Sequence, residues 1–411
     1  MIEAGNKKID YHQLIYLFLI LVFFPFPSKS IGYSVALYVC DFTLIGYISI
    51  LILKKRYPFV ITNTSKYFAF ILILNFMGIL VSWINGYGSS LRQFTEIIRT
   101  IEWVIIHNYF YNLFEKNKQR NINFNDIITR CIVIILLLLI PFIVVELFNL
   151  PLKPVLRELY EMNKSGNIFQ YYNRIVGPFR NPNFLGIWIS ITFIYIYLSN
   201  VRVLLKVMLL LECGGIVYFS GSRTALFTCG ILFIIALGFQ MFNNYGMAFI
   251  KQIAVIGILI VLAGIVVSNN SNLFFSIRLK SLGSALTTLG ERTAIWESLG
   301  KLISDNFIFG NGIIKSDDYI LDNLYLQYIF NYGIVGLSLL VCFLIRNLYR
   351  IFIVYVQNKK NNFLLFLLMT QIAFIIVGVT VQIFDVLQIV FWYFMSVAYT
   401  DYLWHNRNTV K

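Results

Sequence analysis

The sequence predicts an all-α integral membrane protein, and three observations predict it. Hydrophobic residues make up 59% of the 411 positions while charged residues make up only 13%. The mean hydropathy is +0.75, far above that of soluble domains. The apolar residues are gathered into long runs, and about twelve of these reach the roughly 20 residues that a spanning helix needs.

In chain order the expected spans are 11–27, 31–53, 67–84, 91–114, 127–149, 183–199, 203–219, 224–242, 248–268, 323–345, 363–383 and 387–404. The first is followed by Phe-Pro-Phe-Pro and Lys29 rather than by a small-residue cleavage site, so it is expected to stay as a helix. The fourth carries Arg92, Glu96, Arg99 and Glu102 at helical spacing. These charges fall along one face and are expected to pair with one another. The five cysteines (40, 131, 213, 229 and 342) lie mostly inside apolar runs without metal or redox spacing, and read as small core residues.

The formal net charge of +14 is distributed as topology signal. Lys54, Lys55, Arg56 and Lys66 share one connection, Lys116, Lys118 and Arg120 another, and Arg346, Arg350, Lys359 and Lys360 a third. If the spans alternate, these all fall on one side, and basic loops face the cytoplasm. Both termini are then cytoplasmic. No basic stripe interleaved with aromatics points to nucleic acid. No internal repeat is evident, which counts against a secondary transporter.

The chain thus reads as one polytopic domain over 1–411 with two long outer segments, 150–182 and 269–322. Loops of that length are usually functional. In the second, Arg292, Ile295, Trp296, Leu299, Leu302 and Ile303 form an amphipathic pattern, expected to lie as a short helix at the outer surface. Asp305-Asn306 and Gly310-Asn311-Gly312 then mark a turn.

The chemistry-bearing residues stand in these outer segments. Arg174 and Arg180 lie in Tyr-Asn-Arg-Ile-Val-Gly-Pro-Phe-Arg-Asn-Pro-Asn, Arg223 in Ser-Gly-Ser-Arg-Thr-Ala, and Arg292 in Gly-Glu-Arg-Thr-Ala-Ile-Trp. Arginine keeps its charge and presents donors in a plane, which suits phosphate recognition. Such a cluster stabilises a pyrophosphate leaving group without a metal. The bland alternative is lipid-headgroup anchoring. Asn181 or Asn183 caps the following helix, whose N-terminus adds partial positive charge. Asp322 is placed to act as a general base toward a sugar hydroxyl, with Glu291 or Asp318 as substitutes, or else to cap the tenth span. Asp318 and Asp322 alone are a weak metal signal, and no glycine-rich phosphate loop indicates a nucleotide.

Taken together, Gly-Pro-Phe-Arg-Asn-Pro-Asn, Ser-Gly-Ser-Arg-Thr-Ala, Glu-Arg-Thr-Ala-Ile-Trp with Phe-Gly-Asn-Gly, and Asp322-Asn323-x-Tyr325-Leu326 resemble the O-antigen polymerase and ligase superfamily. The resemblance covers roughly 170–340. It implies a GT-C-like glycosyltransferase of the bacterial plasma membrane, with a long extracytoplasmic loop before the tenth helix and no cofactor. The implied substrate is an undecaprenyl-pyrophosphate-linked oligosaccharide, and a chain-length regulator is a possible partner alongside membrane lipid. Ligases of this superfamily usually carry a histidine where this chain has Asp322, so the resemblance leans toward polymerases of the Wzy type. A ligase, or a flippase for the same lipid-linked glycan, is the alternative. The implied site has Asp322, Arg223, Arg292 and Glu291 as catalytic groups. Arg180, Arg174, Asn183, Asn323, Asp318 and Tyr325 are its substrate-binding groups.

Overall fold

A computed structural model describes residues 19–20, 24, 28–30, 36–38, 46, 60–87, 93–120, 124–160, 174–179, 181–243, 299–314 and 323–406. Helices dominate: α1 (Asn63–Ile84), α2 (Phe94–Arg120), α3 (Phe124–Leu147), the short α4 (Lys153–Leu159), α5 (Pro182–Leu198), α6 (Val203–Ser220), α7 (Arg223–Asn243), α8 (Leu324–Gln357), α9 (Asn362–Gly378) and α10 (Leu387–His405). Five of them, α1, α3, α6, α7 and α8, are long and apolar enough to cross a membrane. The expected spans at 67–84, 127–149, 183–199, 203–219, 224–242, 363–383 and 387–404 each coincide with a helix. The charged α2 is helical as expected for 91–114, apart from residues 91–92, which lie outside the described residues.

One expected helix is corrected. Within 31–53, Ala36–Tyr38 form a strand paired antiparallel with Ser28–Ser30, so this stretch begins as a hairpin. Its aromatic and β-branched content suits a strand as well as a helix, an ambiguity that hydropathy alone does not resolve. The span at 248–268 and most of those at 11–27 and 31–53 lie outside the described residues.

The outward faces are what a bilayer requires. On α1, Phe70, Ile73, Phe76, Met77 and Ile84 are exposed, and on α6 Val203, Leu204, Met208 and Leu211 are. A soluble bundle would cover such side chains or replace them with charges. Inside, α5 is packed by α6, α7 and α9, while α10 lies among α2, α8 and α9. The shared core is aromatic-rich: Trp188, Trp392, Tyr195, Tyr393 and Phe366 are all fully buried. Tyr195, near the end of α5, meets Phe366, near the start of α9, at 4.9 Å between ring centroids. These two helices therefore run antiparallel, and the start of α5 shares an end of the bundle with the finish of α9.

The helix α8 is broken. At Gly333 the backbone takes φ +65° and ψ −162°, a conformation essentially reserved for glycine. A break frees backbone donors and acceptors that hydrocarbon cannot satisfy. Residues 307–313 satisfy them. The Asn311 and Gly312 amides donate to the Phe330 and Asn331 carbonyls at 2.8 and 3.0 Å, and the Ile334 amide donates to the Phe307 carbonyl at 2.8 Å. The next amide, Ile313, donates to the Gly78 carbonyl of α1 at 3.0 Å. Residues 307–313 are thus stitched between two apolar helices, α1 and α8.

A side chain at Gly333 would run into the Ile308 carbonyl as well as strain the backbone. Gly333→Ala is expected to cost about 1–3 kcal/mol, read as a lower unfolding temperature of the detergent-solubilised protein. Gly214→Ala, inside α6 with open space around it, is expected to leave that temperature unchanged or raise it slightly.

Candidate functional site

The described parts of the polar islands, at 174–183, 220–225 and 323–325, build two corners at helix starts. The first is built on the start of α5. Asn181 is the N-cap, its side-chain oxygen accepting from the Asn183 amide at 2.8 Å, and Pro182 occupies the first turn where its missing donor costs nothing. Before it, Gly177 bends the chain at φ +55°. One carboxylate oxygen of Glu146, at the end of α3, accepts from both the Val176 and Gly177 amides at 2.8 Å. Lys153 sits beside this anchor, its ammonium 3.0 Å from Asn149 Oδ1, with burial and then Arg157 holding its pKa below the usual lysine range.

Arg174 ties this segment to the α6–α7 turn. Its Nε donates to the Ser220 carbonyl and its Nη2 to Asn183 Oδ1, both at 2.7 Å. The Ile175 amide also donates to the Phe219 carbonyl at 3.1 Å. The turn itself is closed by Gly221 in the left-handed region and by Ser222 Oγ, which accepts from the Ala225 amide at 3.2 Å. Gly186 of α5 lies against Ser220 and Ala225 so closely that a β-carbon there would sit 2.7–2.8 Å from their side chains. Arg223 follows as the exposed first residue of α7. The helix N-terminus beneath it adds partial positive charge. Arg174, Asn183 and the Arg223 turn are therefore one assembly.

The second corner is the start of α8. Asn323, rather than Asp322, is the cap: its Oδ1 accepts from the Tyr325 and Leu326 amides at 2.9 and 3.1 Å. That oxygen is engaged in holding the helix. Tyr325 turns into the bundle, where its hydroxyl donates to the Ile375 carbonyl of α9 at 2.9 Å and its ring lies against Gly378. Tyr325 is thereby a helix-packing residue. Because α9 ends beside Tyr325 and α5 begins beside the end of α9, both corners open toward the same side. Asp322, Asp318, Glu291, Arg292 and Arg180 lie outside the described residues.

Residues 299–305 are helical, and the rest of the expected amphipathic helix, from Arg292, lies outside the described residues. Leu299, Ile314 and Phe330 make a small core with Leu302 and Ile303 packed on it. Asn311 is fully buried, its amide nitrogen donating to the Leu302 carbonyl at 3.2 Å while Asn306 donates to its Oδ1 at 2.9 Å. From there a polar chain runs inward. Gln93 Nε2 donates to both Ser82 Oγ and the Ile313 carbonyl at 2.8 Å. Tyr332 Oη donates to Asn75 Oδ1 at 2.6 Å, and Asn75 donates onward to Thr100 at 2.9 Å. Sequence reasoning passed over Glu146, Asn75 and Gln93, and took Tyr332 only as part of a family motif. Their only signal is polarity inside otherwise apolar runs.

The charges of α2 are used for packing. Arg99 Nη1 pairs with Glu102 Oε2 at 2.7 Å and both side chains are buried, as the helical spacing suggested.

Comparison with known proteins bears on the same region. Residues 207–341 match the O-antigen ligase family (Wzy_C). The match supports the O-antigen polymerase and ligase superfamily. It spans α6, α7, the stitched segment and the broken part of α8, so the Arg223 turn and the Gly333 break both lie inside it. It supports a general role as a glycosyltransferase-like enzyme of polysaccharide biosynthesis, and polymerase and ligase fit it equally. With the apolar helices of spanning length it supports a multi-pass membrane protein. No curated protein matches the chain.

Glu146 gives this corner a direct test. Glu146→Ala removes the acceptor for two buried amides and is expected to cost about 1.5–3 kcal/mol. Glu146→Gln keeps one oxygen that can accept both bonds and should recover most of that loss, checked by thermal unfolding of the two variants side by side.

Proposed function

We propose that the protein is a polymerase of lipid-pyrophosphate-linked oligosaccharide repeat units, acting where the two corners open. The observation that carries this reading is the assembly of Arg174, Asn183 and the Arg223 turn at one end of a membrane bundle, within and beside the matched region. Arg174 spends two donors on aligning the turn, which fixes where Arg223 begins α7. An exposed guanidinium on a helix N-terminus suits a membrane-anchored pyrophosphate.

In the proposed reaction, Arg223 together with Arg292 and Arg180 holds the donor pyrophosphate. The acceptor hydroxyl attacks the anomeric carbon, forming the new glycosidic bond as the carbon–oxygen bond to pyrophosphate breaks. The leaving pyrophosphate takes the electron pair and is stabilised by the arginines. Asp322 takes the hydroxyl proton, with Glu291 or Asp318 as the substitute. A single displacement inverts the anomeric configuration. Asn323 contributes by holding the helix start next to Asp322. The lipid-pyrophosphate bond supplies the drive, so no nucleotide is required.

The ligase reading has its own support, because the matched family is described as an O-antigen ligase. The two differ in acceptor: a second lipid-linked repeat unit for a polymerase, the lipid A core for a ligase. The resemblance of Asp322-Asn323 to polymerases favours the first.

Deleting the gene in its host and resolving the extracted surface glycan on a gel separates them. Core bearing a single repeat unit is the polymerase result, and bare core with long polymer left on its carrier is the ligase result. Unchanged long chains would overturn both. In the same assay Arg223→Ala is expected to reduce polymer formation by about 10²–10³-fold at undiminished membrane level, since the residue is exposed. Full activity of that variant would remove Arg223 from the mechanism.

A further inference from the structure

The far end of the bundle carries a groove that the proposed reaction does not use. It lies between the first half of α1 and the part of α8 that follows the Gly333 break, and has a volume of about 620 Å³. Its walls are apolar and aromatic, with Tyr67, Phe70 and Leu339 among them, and one end is basic, closed by Lys66 and Arg346. Phe70 and Cys342 are exposed along it. The stitched segment sits at the finish of α1 and the second corner at the start of α8, so the basic end of this groove belongs to the opposite half of the membrane.

Its positive charge is held in place. Asp401 of α10 is the nearby acid, and Arg350 takes it at 2.7 Å, with His107 on its other oxygen at 3.1 Å. Arg346 stands 3.9 Å from the same carboxylate. Its guanidinium is fixed 5.0 Å over the Tyr67 ring and donates to Thr64 Oγ1 at 3.1 Å. One carboxylate between two arginines leaves a net positive charge there. Lys66 is exposed, and among the described residues no acid pairs with it. The α1 N-terminus, capped by Thr62, points its partial positive charge to the same place.

We infer that this groove binds an anionic phospholipid of the leaflet at that end, with its phosphate at Lys66 and Arg346 and one acyl chain along Tyr67, Phe70 and Leu339. An amphiphile with a negative head is the one occupant that matches both the apolar walls and the basic end. Neutral lipid fits the walls alone, and a free anion fits the end alone.

Cys342 opens into the groove and serves as the reporter. The full-length protein in detergent is alkylated with a maleimide, and modification of Cys342 is followed by peptide mass, separately from the other cysteines. Phosphatidylglycerol is expected to slow that modification about fivefold more than phosphatidylcholine does, the ratio for one basic side chain near a headgroup. Lys66→Gln is expected to narrow the difference between the two lipids, leaving the part that Arg346 contributes. Equal protection by both lipids in the wild-type protein, or none by phosphatidylglycerol, overturns the inference. Protection by inorganic phosphate alone assigns the basic end to a soluble anion and also overturns it. A Lys66→Gln protein that distinguishes the lipids as strongly as the wild type removes Lys66 from the site. The wild-type comparison decides the matter even where the variant is unstable, and it is independent of glycan transfer.

Discussion

The break in α8 at Gly333 is the constraint on which the rest of this end of the molecule depends. A helix interrupted at membrane depth must find partners for its freed amides and carbonyls, and water is not available to supply them. Here the segment preceding α8 does so, with residues 307–313 bonding to Phe330, Asn331, Ile334 and, on α1, Gly78. The backbone approach is so close that Gly310, Gly312 and Gly333 each leave no space for a β-carbon. The end of a long loop is thereby fixed to two membrane helices at the point from which the chain continues toward Asp322 and α8. A site assembled from loop residues gains precision when its supports are this rigid.

The same economy governs the polar groups. Each corner is built from short polar sequences that satisfy helix ends and hold backbone across elements. Asn181, Ser222 and Asn323 cap. Glu146 and Arg174 hold backbone across elements. Arg223 is left exposed on its helix start. Elsewhere Arg99 pairs with Glu102 on α2, and Asp401 with His107 and Arg350 at the opposite end. Removing one member of such a pair exposes the other to an uncompensated burial, so these groups read as structural.

Much of the local structure was legible from residue type. The caps and proline at 181–182, the helix through 299–305 and the pairing of Arg99 with Glu102 follow from rules that operate within a turn or two. Asp322 and Asn323 mark where such rules stop, because both residues can cap and only the geometry selects Asn323. The contact of Tyr325 with Ile375, fifty residues downstream, has no local signal. Cys342 was read as core and is exposed.

By itself the sequence determined the class, the helices and the residues that bear charge at their ends, because hydropathy and helix capping are local properties. Tertiary structure alone decided which ends meet. Gly78 and Ile313, Glu146 and Gly177, and His107 and Asp401 are far apart in the chain and carry no mark of one another. The physical reason is that a buried polar group in a membrane protein is chosen by what packs against it, and that partner is supplied by the fold.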